Sequence, residues 1–235
     1  MNNSRSPGNR LLAALPTAEY ERLRRHLQPM LFTHGQLLQR AGEPIERVYF
    51  VEKGMASLVM VAEDGVQVEV GVVGNEGMVG AAVVLGDNPP LTESMVQIPG
   101  KGWWMPARIL VAEFSQTEIL HQSLLRYMQL LMTLTSQTAL CNRLHSVEAR
   151  LAKWLLMSRD RVQSNELELT QEFLAQMLGS RRSGITIAAG DLRDAGLIDY
   201  TRGCITILDE PGLQERACEC YSAIQGRFEQ LLQDI

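Results

Sequence analysis

With 235 residues the chain exceeds the usual size of one domain, so two domains are the starting expectation. Its 46% hydrophobic and 21% charged residues are those of an ordinary folded protein, and apolar runs such as Val79 to Leu85 fall far short of the ~20 residues of a membrane-spanning helix. A net charge of −5 excludes a uniformly basic surface but not a local basic contact, because phosphate attraction acts over about one Debye length.

The opening segment, Met1 to Arg10, is polar and has no apolar h-region. It does not read as a secretion signal, and a cytoplasmic location is expected. A short helix follows, with Thr17 as its cap, Glu19 and Glu21 in the first turn, Leu23 and Leu27 on one face, and Pro29 as its end.

Residues 31–106 change character. Short β-prone segments recur at Val48–Val51, Ala56–Val61, Val66–Val70 and Ser94–Ile98. Turn signals separate them at Glu52-Lys-Gly54, Glu63-Asp-Gly65, Gly74-Asn-Glu-Gly77, Gly86 to Pro90 and Pro99-Gly100. This spacing predicts a β-sandwich or barrel.

From Ser115 to Asn142 there is no Gly or Pro. Apolar residues recur at helical spacing on two faces, which predicts one helix of roughly 40 Å at 1.5 Å per residue. Such a helix either packs along the β domain or meets a second subunit. Its position between two domains favours the second, with Leu120, Leu124, Met128, Leu131, Thr135 and Thr138 as the interface.

A helix containing Val147, Leu151, Trp154 and Leu155 opens the last part. Then Leu169 to Gly179 reads as a short helix capped by Thr170, with Glu172 in its first turn and Gly179 as a left-handed stop. Ser180 caps a second helix, Arg181 to about Ala195, whose inward face is Ile185, Ala188, Ala189 and Leu192. Two short helices joined by a tight glycine turn make a helix-turn-helix. After Gly196, the segments Ile198–Thr201 and Cys204–Ile207 flank Arg202-Gly203 as a two-residue hairpin, hence a wing. Helix, turn, helix, hairpin in this order predicts a DNA-binding winged helix. The second helix carries Arg181 and Arg182 at its positive end and Asp191 and Asp194 near its other end, so its N-terminus points at DNA. The DNA-facing set is Thr170, Gln171, Ser180, Arg181, Arg182, Ser183, Thr186, Ile187 and Arg202. Arg182 has the planar fork that pairs with guanine, Ile187 suits a thymine methyl, and Arg202 at the wing tip is placed for phosphate.

The four cysteines are Cys141, Cys204, Cys218 and Cys220. A zinc site from Cys204, Cys218 and Cys220 would need a fourth ligand, and every histidine precedes them, so no metal is expected. Buried thiols are the plain reading, and a thiol switch at Cys218-Glu-Cys220 the other. No nucleophile–base pair, phosphate loop or HExxH appears, so no catalytic residue and no enzyme are expected.

The chain resembles the Crp/Fnr superfamily of transcription regulators over nearly its whole length. The resemblance is carried by Gly42-Glu43, Val48-Tyr-Phe-Val51 and Gly54, by Gly74-Asn-Glu-Gly-Met-Val-Gly80, by Ser146-Val-Glu-Ala-Arg-Leu-Ala-Lys-Trp-Leu155, and by the motif from Thr170 to Ile198. It implies an α+β chain in three parts: a cyclic-nucleotide-binding-like jelly roll over 1–114, a dimerising helix over 115–144 and a winged helix-turn-helix over 145–235. It implies a homodimer on a palindromic operator in double-stranded DNA and, for an activator, contact with RNA polymerase. Gly80, Ala81, Ala82, Thr92, Thr135 and Ser136 would line the effector pocket. Members that respond to cyclic AMP carry a Glu just after the glycine matching Gly80 and an Arg-Ser or Arg-Thr pair further on. Here Ala81 and Ala82 follow Gly80, and Asn88 to Ser94 contains no arginine. Cyclic AMP in the usual mode is therefore not expected, the effector is unknown, and no cofactor is predicted. Oxygen-sensing relatives carry an N-terminal cysteine cluster, whereas no cysteine here precedes Cys141. The family's recognition helix often shows Arg-Glu and a second Arg four residues after the Glu. Arg182, Ser183 and Ile187 stand there instead, which implies a different half-site. The alternative to gene control is a small-molecule-binding signalling protein whose winged helix mediates protein contacts.

Overall fold

A computed structural model describes residues 7–86, 89–201 and 203–233. They fall into two units, the first formed by residues up to Leu58, Val72–Met132 and Arg227 onward, the second by Val59–Gly71 and Thr133–Gly226. The expected divisions at 114/115 and 144/145 are thus drawn differently: the central helix is shared, and a hairpin tip of the β domain belongs with the winged helix. The α+β class and the order of β domain, long helix and winged helix are as expected.

In the first unit, helices α1 (Arg10–Ala13) and α2 (Thr17–Arg24) precede the strands β1 (Gln28–Phe32), β2 (Leu37–Gln39), β3 (Arg47–Val61), β4 (Gln67–Val73), β5 (Met78–Val79) and β6 (Thr92–Pro106). Asn9 caps α1 and, fully buried, donates to the carbonyls of Val51 and Gly77, which pins the N-terminal segment to the sheet. Thr17 is the first residue of α2 rather than its cap. The Pro16 carbonyl takes that place, accepting from Glu19 and Tyr20. The helix ends at Arg24, so Leu27 lies outside it and Pro29 falls in β1, paired with Trp103.

The sheet runs β1-β6-β3-β4, with β2 also paired to β6 and β5 to β3. Glu52-Lys-Gly54 and Pro99-Gly100, both expected to be turns, lie inside two strands of 15 residues each. The reason is a close crossing of backbones. A Cβ on Gly54 would sit 2.6 Å from the Ile98 carbonyl oxygen, and one on Gly100 would sit 1.9 Å from that of Lys53. Glycine here lets two strands approach closely. Glu63-Asp-Gly65 does turn: the Ala62 and Val66 backbones pair across it. Phe32, Tyr49, Val51, Val73, Val79 and Val96 form a buried core cluster of this unit.

After β6 come α3 (Ala107–Gln116) and α4 (Glu118–Leu144). The predicted single helix from Ser115 is interrupted at Thr117, which is extended (φ −129°, ψ 127°) and turns its hydroxyl back to donate to Glu113 O at 3.0 Å. Leu120, Leu124, Tyr127 and Leu130 of α4 are buried in the first unit, where the Tyr127 hydroxyl donates to Met78 O.

The second unit contains α5 (Val147–Val162), β7 (Glu166–Glu168), α6 (Gln171–Met177), α7 (Arg182–Asp194), β8 (Ile198–Thr201), β9 (Cys204–Ile207) and α8 (Glu210–Arg216). The helix α9 (Cys220–Gln233) begins in it. Ser146 caps α5, accepting from Ala149 N. Its three-stranded sheet has the order β7-β9-β8, and the short β7 was not foreseen. The Trp154 indole donates to Glu69 at 2.8 Å, which ties the hairpin tip to α5 within this unit.

Candidate nucleic-acid interface

Two glycines in the left-handed region set the geometry of the helix pair. At the end of α6, Gly179 (φ +54°) lets Ser180 N reach back to Ala175 O at 2.9 Å. At the end of α7, Gly196 (φ +75°) lets Leu197 N reach Leu192 O at 3.0 Å. Both are six-to-one closures that satisfy carbonyls left over at a helix end. The first one also moves the start of α7. Ser180, expected to cap it, is held to α6, and Arg181 takes the cap position without a side-chain cap bond.

The first helix starts as expected, with Thr170 Oγ1 accepting from Phe173 N at 3.1 Å. Ile185, Ala188, Ala189 and Leu192 are buried, as their spacing required. Arg150, buried on α5, donates to Leu178 O and so holds α5 against the turn.

The opposite face of α7 is open. Arg181, Arg182, Ser183, Thr186 and Ile187 are exposed, and Ile187 is 65% exposed although isoleucine normally buries. The Thr186 hydroxyl donates to Gln171 Oε1 at 2.8 Å, which links two of the positions expected to face DNA, one on α6 and one on α7, across the turn. Arg182 lies 3.6 Å from Glu172, with both side chains largely exposed. A solvated pair of this kind contributes little. Thr170 is occupied as a cap, and Ser180 is half-buried in the turn. The wing forms as read: β8 and β9 pair from Ile198↔Ile207 to Thr201↔Cys204. Leu169 N donates to Gly203 O, which brings the hairpin's turn to the start of α6. Arg202 lies outside the described residues.

Two family models match this chain: a Crp-like helix-turn-helix domain over residues 149–216 and a cyclic nucleotide-binding domain over residues 29–112. The chain belongs to the Crp/Fnr superfamily. This Crp/Fnr protein is 25% identical over 202 residues to a CRP-like cAMP-activated global transcriptional regulator of Mycobacterium tuberculosis, covering 83% of this chain and 90% of that one. It is 26% identical over 223 residues to a global nitrogen regulator of Synechocystis, covering 85% and 94%. A CRP-family transcriptional regulator from Thermus thermophilus shares the fold with a TM-score of 0.66 at 18% identity, over 80% and 96% of the two chains. It is a transcription regulator with a DNA-binding helix-turn-helix.

The positions expected around an effector are less uniform. Gly80 is left-handed (φ +86°), Ala81 is buried, and Ala82 and Thr92 are half-buried. Thr135 and Ser136 are exposed on α4. A cyclic phosphate needs a cationic or donor-rich cradle. Residues 80 to 94 contain neither Lys nor Arg, so this segment does not fit one in the family's usual way. The β domain has a cleft of about 410 Å³, lined by residues such as Leu38, Arg40, Glu43, Arg47 and Tyr49, none of them an expected effector position. Its two cations are already engaged, Arg47 over the Trp104 ring at 4.4 Å and Arg40 with Glu43 at 4.0 Å.

On α4 the expected interface needs correction. Leu120 and Leu124 are 2% and 0% exposed within the single chain, so they cannot meet a partner. Met128, Leu131 and Thr138 are half-buried, and Thr135 is exposed. The outward apolar positions are Leu125, Met132, Leu140 and Leu144.

The cysteines also differ from expectation. Cys204 lies on β9, but Cys141, Cys218 and Cys220 come together with His145 inside the second unit. His145 is remote from Cys218 and Cys220 in sequence, and folding, not chain proximity, supplies it as their neighbour. The signal lay in Cys141 and His145, four apart, which is one helical turn. The hydrogen bond between Cys141 and Cys218 holds the Cys141 thiol down at about 4, with burial opposing and Lys153 helping. The same contact, with burial, pushes Cys218 up, and burial raises Cys220.

Proposed function

We propose that this Crp/Fnr regulator binds a palindromic DNA site as a homodimer, reading bases with the N-terminal half of α7. The observation that carries this reading is the exposed set Arg182, Ser183, Thr186 and Ile187 beside the positive end of that helix. Arginine supplies two donors in one plane for guanine, and a solvent-facing isoleucine gains by covering a thymine methyl. A DNA partner places the protein in the cytoplasm, and no helix among the described residues is long and apolar enough to cross a membrane.

The homodimer reading rests on α4. Leu125, Met132, Leu140 and Leu144 form an exposed apolar stripe roughly 28 Å long, broken by small and polar residues such as Ser136 and Ala139. A second copy of the same helix covers such a stripe through a twofold axis. That dimer would set two α7 helices about 34 Å apart, one turn of DNA. The effector, on this reading, is not a cyclic nucleotide held through a phosphate arginine. As an activator the dimer would contact RNA polymerase.

The test is selection of bound fragments from genomic DNA, followed by titration of the recovered site at several salt concentrations. A palindromic site and a log K slope of about −0.9 per neutralised phosphate are expected. Recovery of no common sequence, with equal affinity for scrambled DNA, would favour the protein-contact alternative.

A further inference from the structure

The geometry points to Cys141, His145, Cys218 and Cys220 as the four ligands of a structural zinc ion. Their ligand atoms all lie within 4.8 Å of one another. Cys141 Sγ and Cys218 Sγ are 3.5 Å apart, and Cys220 Sγ lies 3.5 Å from His145 Nδ1. Tetrahedral zinc with Zn–S of about 2.3 Å and Zn–N of about 2.0 Å places its ligands roughly 3.5–3.8 Å apart, so these edges already have the required length. Three sulfurs and one imidazole is a closed donor set, leaving no position open for a substrate.

The surroundings are those of a metal site rather than of packed thiols. His145 presents Nδ1 to the cluster while its Nε2 contacts Glu219 Oε1 at 3.1 Å, the carboxylate–histidine arrangement that fixes a ligand's tautomer. Gln137 Nε2 donates to Cys220 Sγ at 3.1 Å. Three thiolates with one dication leave a net charge of −1. Lys153 and Arg150, 6% and 7% exposed, lie within electrostatic reach of Cys141, and Arg150 Nε is buried without a hydrogen-bond partner. Cations are placed where that charge would sit, at a depth where lysine and arginine are rarely found.

The ion would join two helix junctions inside the second unit. Cys141 and His145 stand at the passage from α4 to α5, and Cys218 and Cys220 at the passage from α8 to α9. Zinc would thus clamp the first and last segments of the winged-helix domain. This is independent of the DNA-binding reading, because metal content is measured without DNA.

The full-length chain, reduced and freed of metal by a chelator, is titrated with Co²⁺ alone. Expected are one Co²⁺ per chain, the intense visible bands of a tetrahedral site with thiolate charge transfer, and displacement by an equal amount of Zn²⁺. Cys204→Ser leaves this unchanged. Glu219→Gln weakens Zn²⁺ binding roughly 10- to 100-fold and His145→Ala by more. Circular dichroism separates loss of a ligand from loss of fold, and Glu219→Gln, at an exposed carboxylate, decides if the other variant fails to fold. A weak octahedral Co²⁺ spectrum, bands that persist in His145→Ala, an iron–sulfur chromophore in the purified protein, or a Cys141–Cys218 disulfide forming as fast under saturating Zn²⁺ as without it would each overturn the assignment.

Discussion

Two substitutions on one helix distinguish its two apolar faces. Met132 is 68% exposed in the single chain, whereas Leu124 is fully buried. Burying a whole methionine is worth about 1.5–3 kcal/mol, and about two-thirds of that remains to be gained at Met132. In a twofold dimer the loss counts twice, so Met132→Ala should weaken the dimer by about 2–4 kcal/mol, or roughly 30- to 700-fold in Kd. The protomer itself should lose little. Leu124→Ala should instead cost the protomer about 2–5 kcal/mol, independently of protein concentration. Sedimentation equilibrium over a concentration series, paired with urea unfolding of each variant, reads both quantities. A dimer constant unmoved by Met132→Ala, or Leu124→Ala dissociating subunits that stay fully stable, would refute the assignment of faces.

Within the winged helix, Ile185→Ala removes a fully buried side chain from beneath α7. It should cost about 2–5 kcal/mol by denaturant titration, with DNA affinity falling along with the folded fraction. In the β domain, Gly54→Ala meets carbonyl oxygens at 2.6 and 2.9 Å from a residue at φ +94°. A loss of about 2–5 kcal/mol is expected, combining overpacking with a left-handed residue that carries a Cβ. Calorimetry showing an unchanged melting temperature would mean the two strands do not cross this closely.

The winged helix was largely legible in the sequence because its signals are local. Thr170, Gly179, the Ile185 to Leu192 spacing and Gly196 each act within one or two turns of chain, and the wing strands match residue for residue. Three features escaped because they depend on what lies across the fold. Gly54 and Gly100 look like turn residues until each is seen to admit the other's strand. Leu120 and Leu124 have the same spacing whether the neighbour is a partner or the chain's own β domain. The His145 cluster is the extreme case, since Cys141 and Cys218 are separated by 77 positions and only the fold brings them to 3.5 Å. Capping at Ser180 failed for a smaller reason, the closure of one helix claiming the residue that could have begun the next.

The central claim is that the arginine end of α7 reads base edges, and Arg182→Ala tests it most directly. Affinity for the selected site and for a scrambled duplex should be measured by fluorescence anisotropy, wild type against variant, at two fixed salt concentrations. The expected result is a loss of about 1–3 kcal/mol on the selected site, with little change on the scrambled one. Equal losses on both would reduce Arg182 to a phosphate contact, and no loss on either would contradict the account.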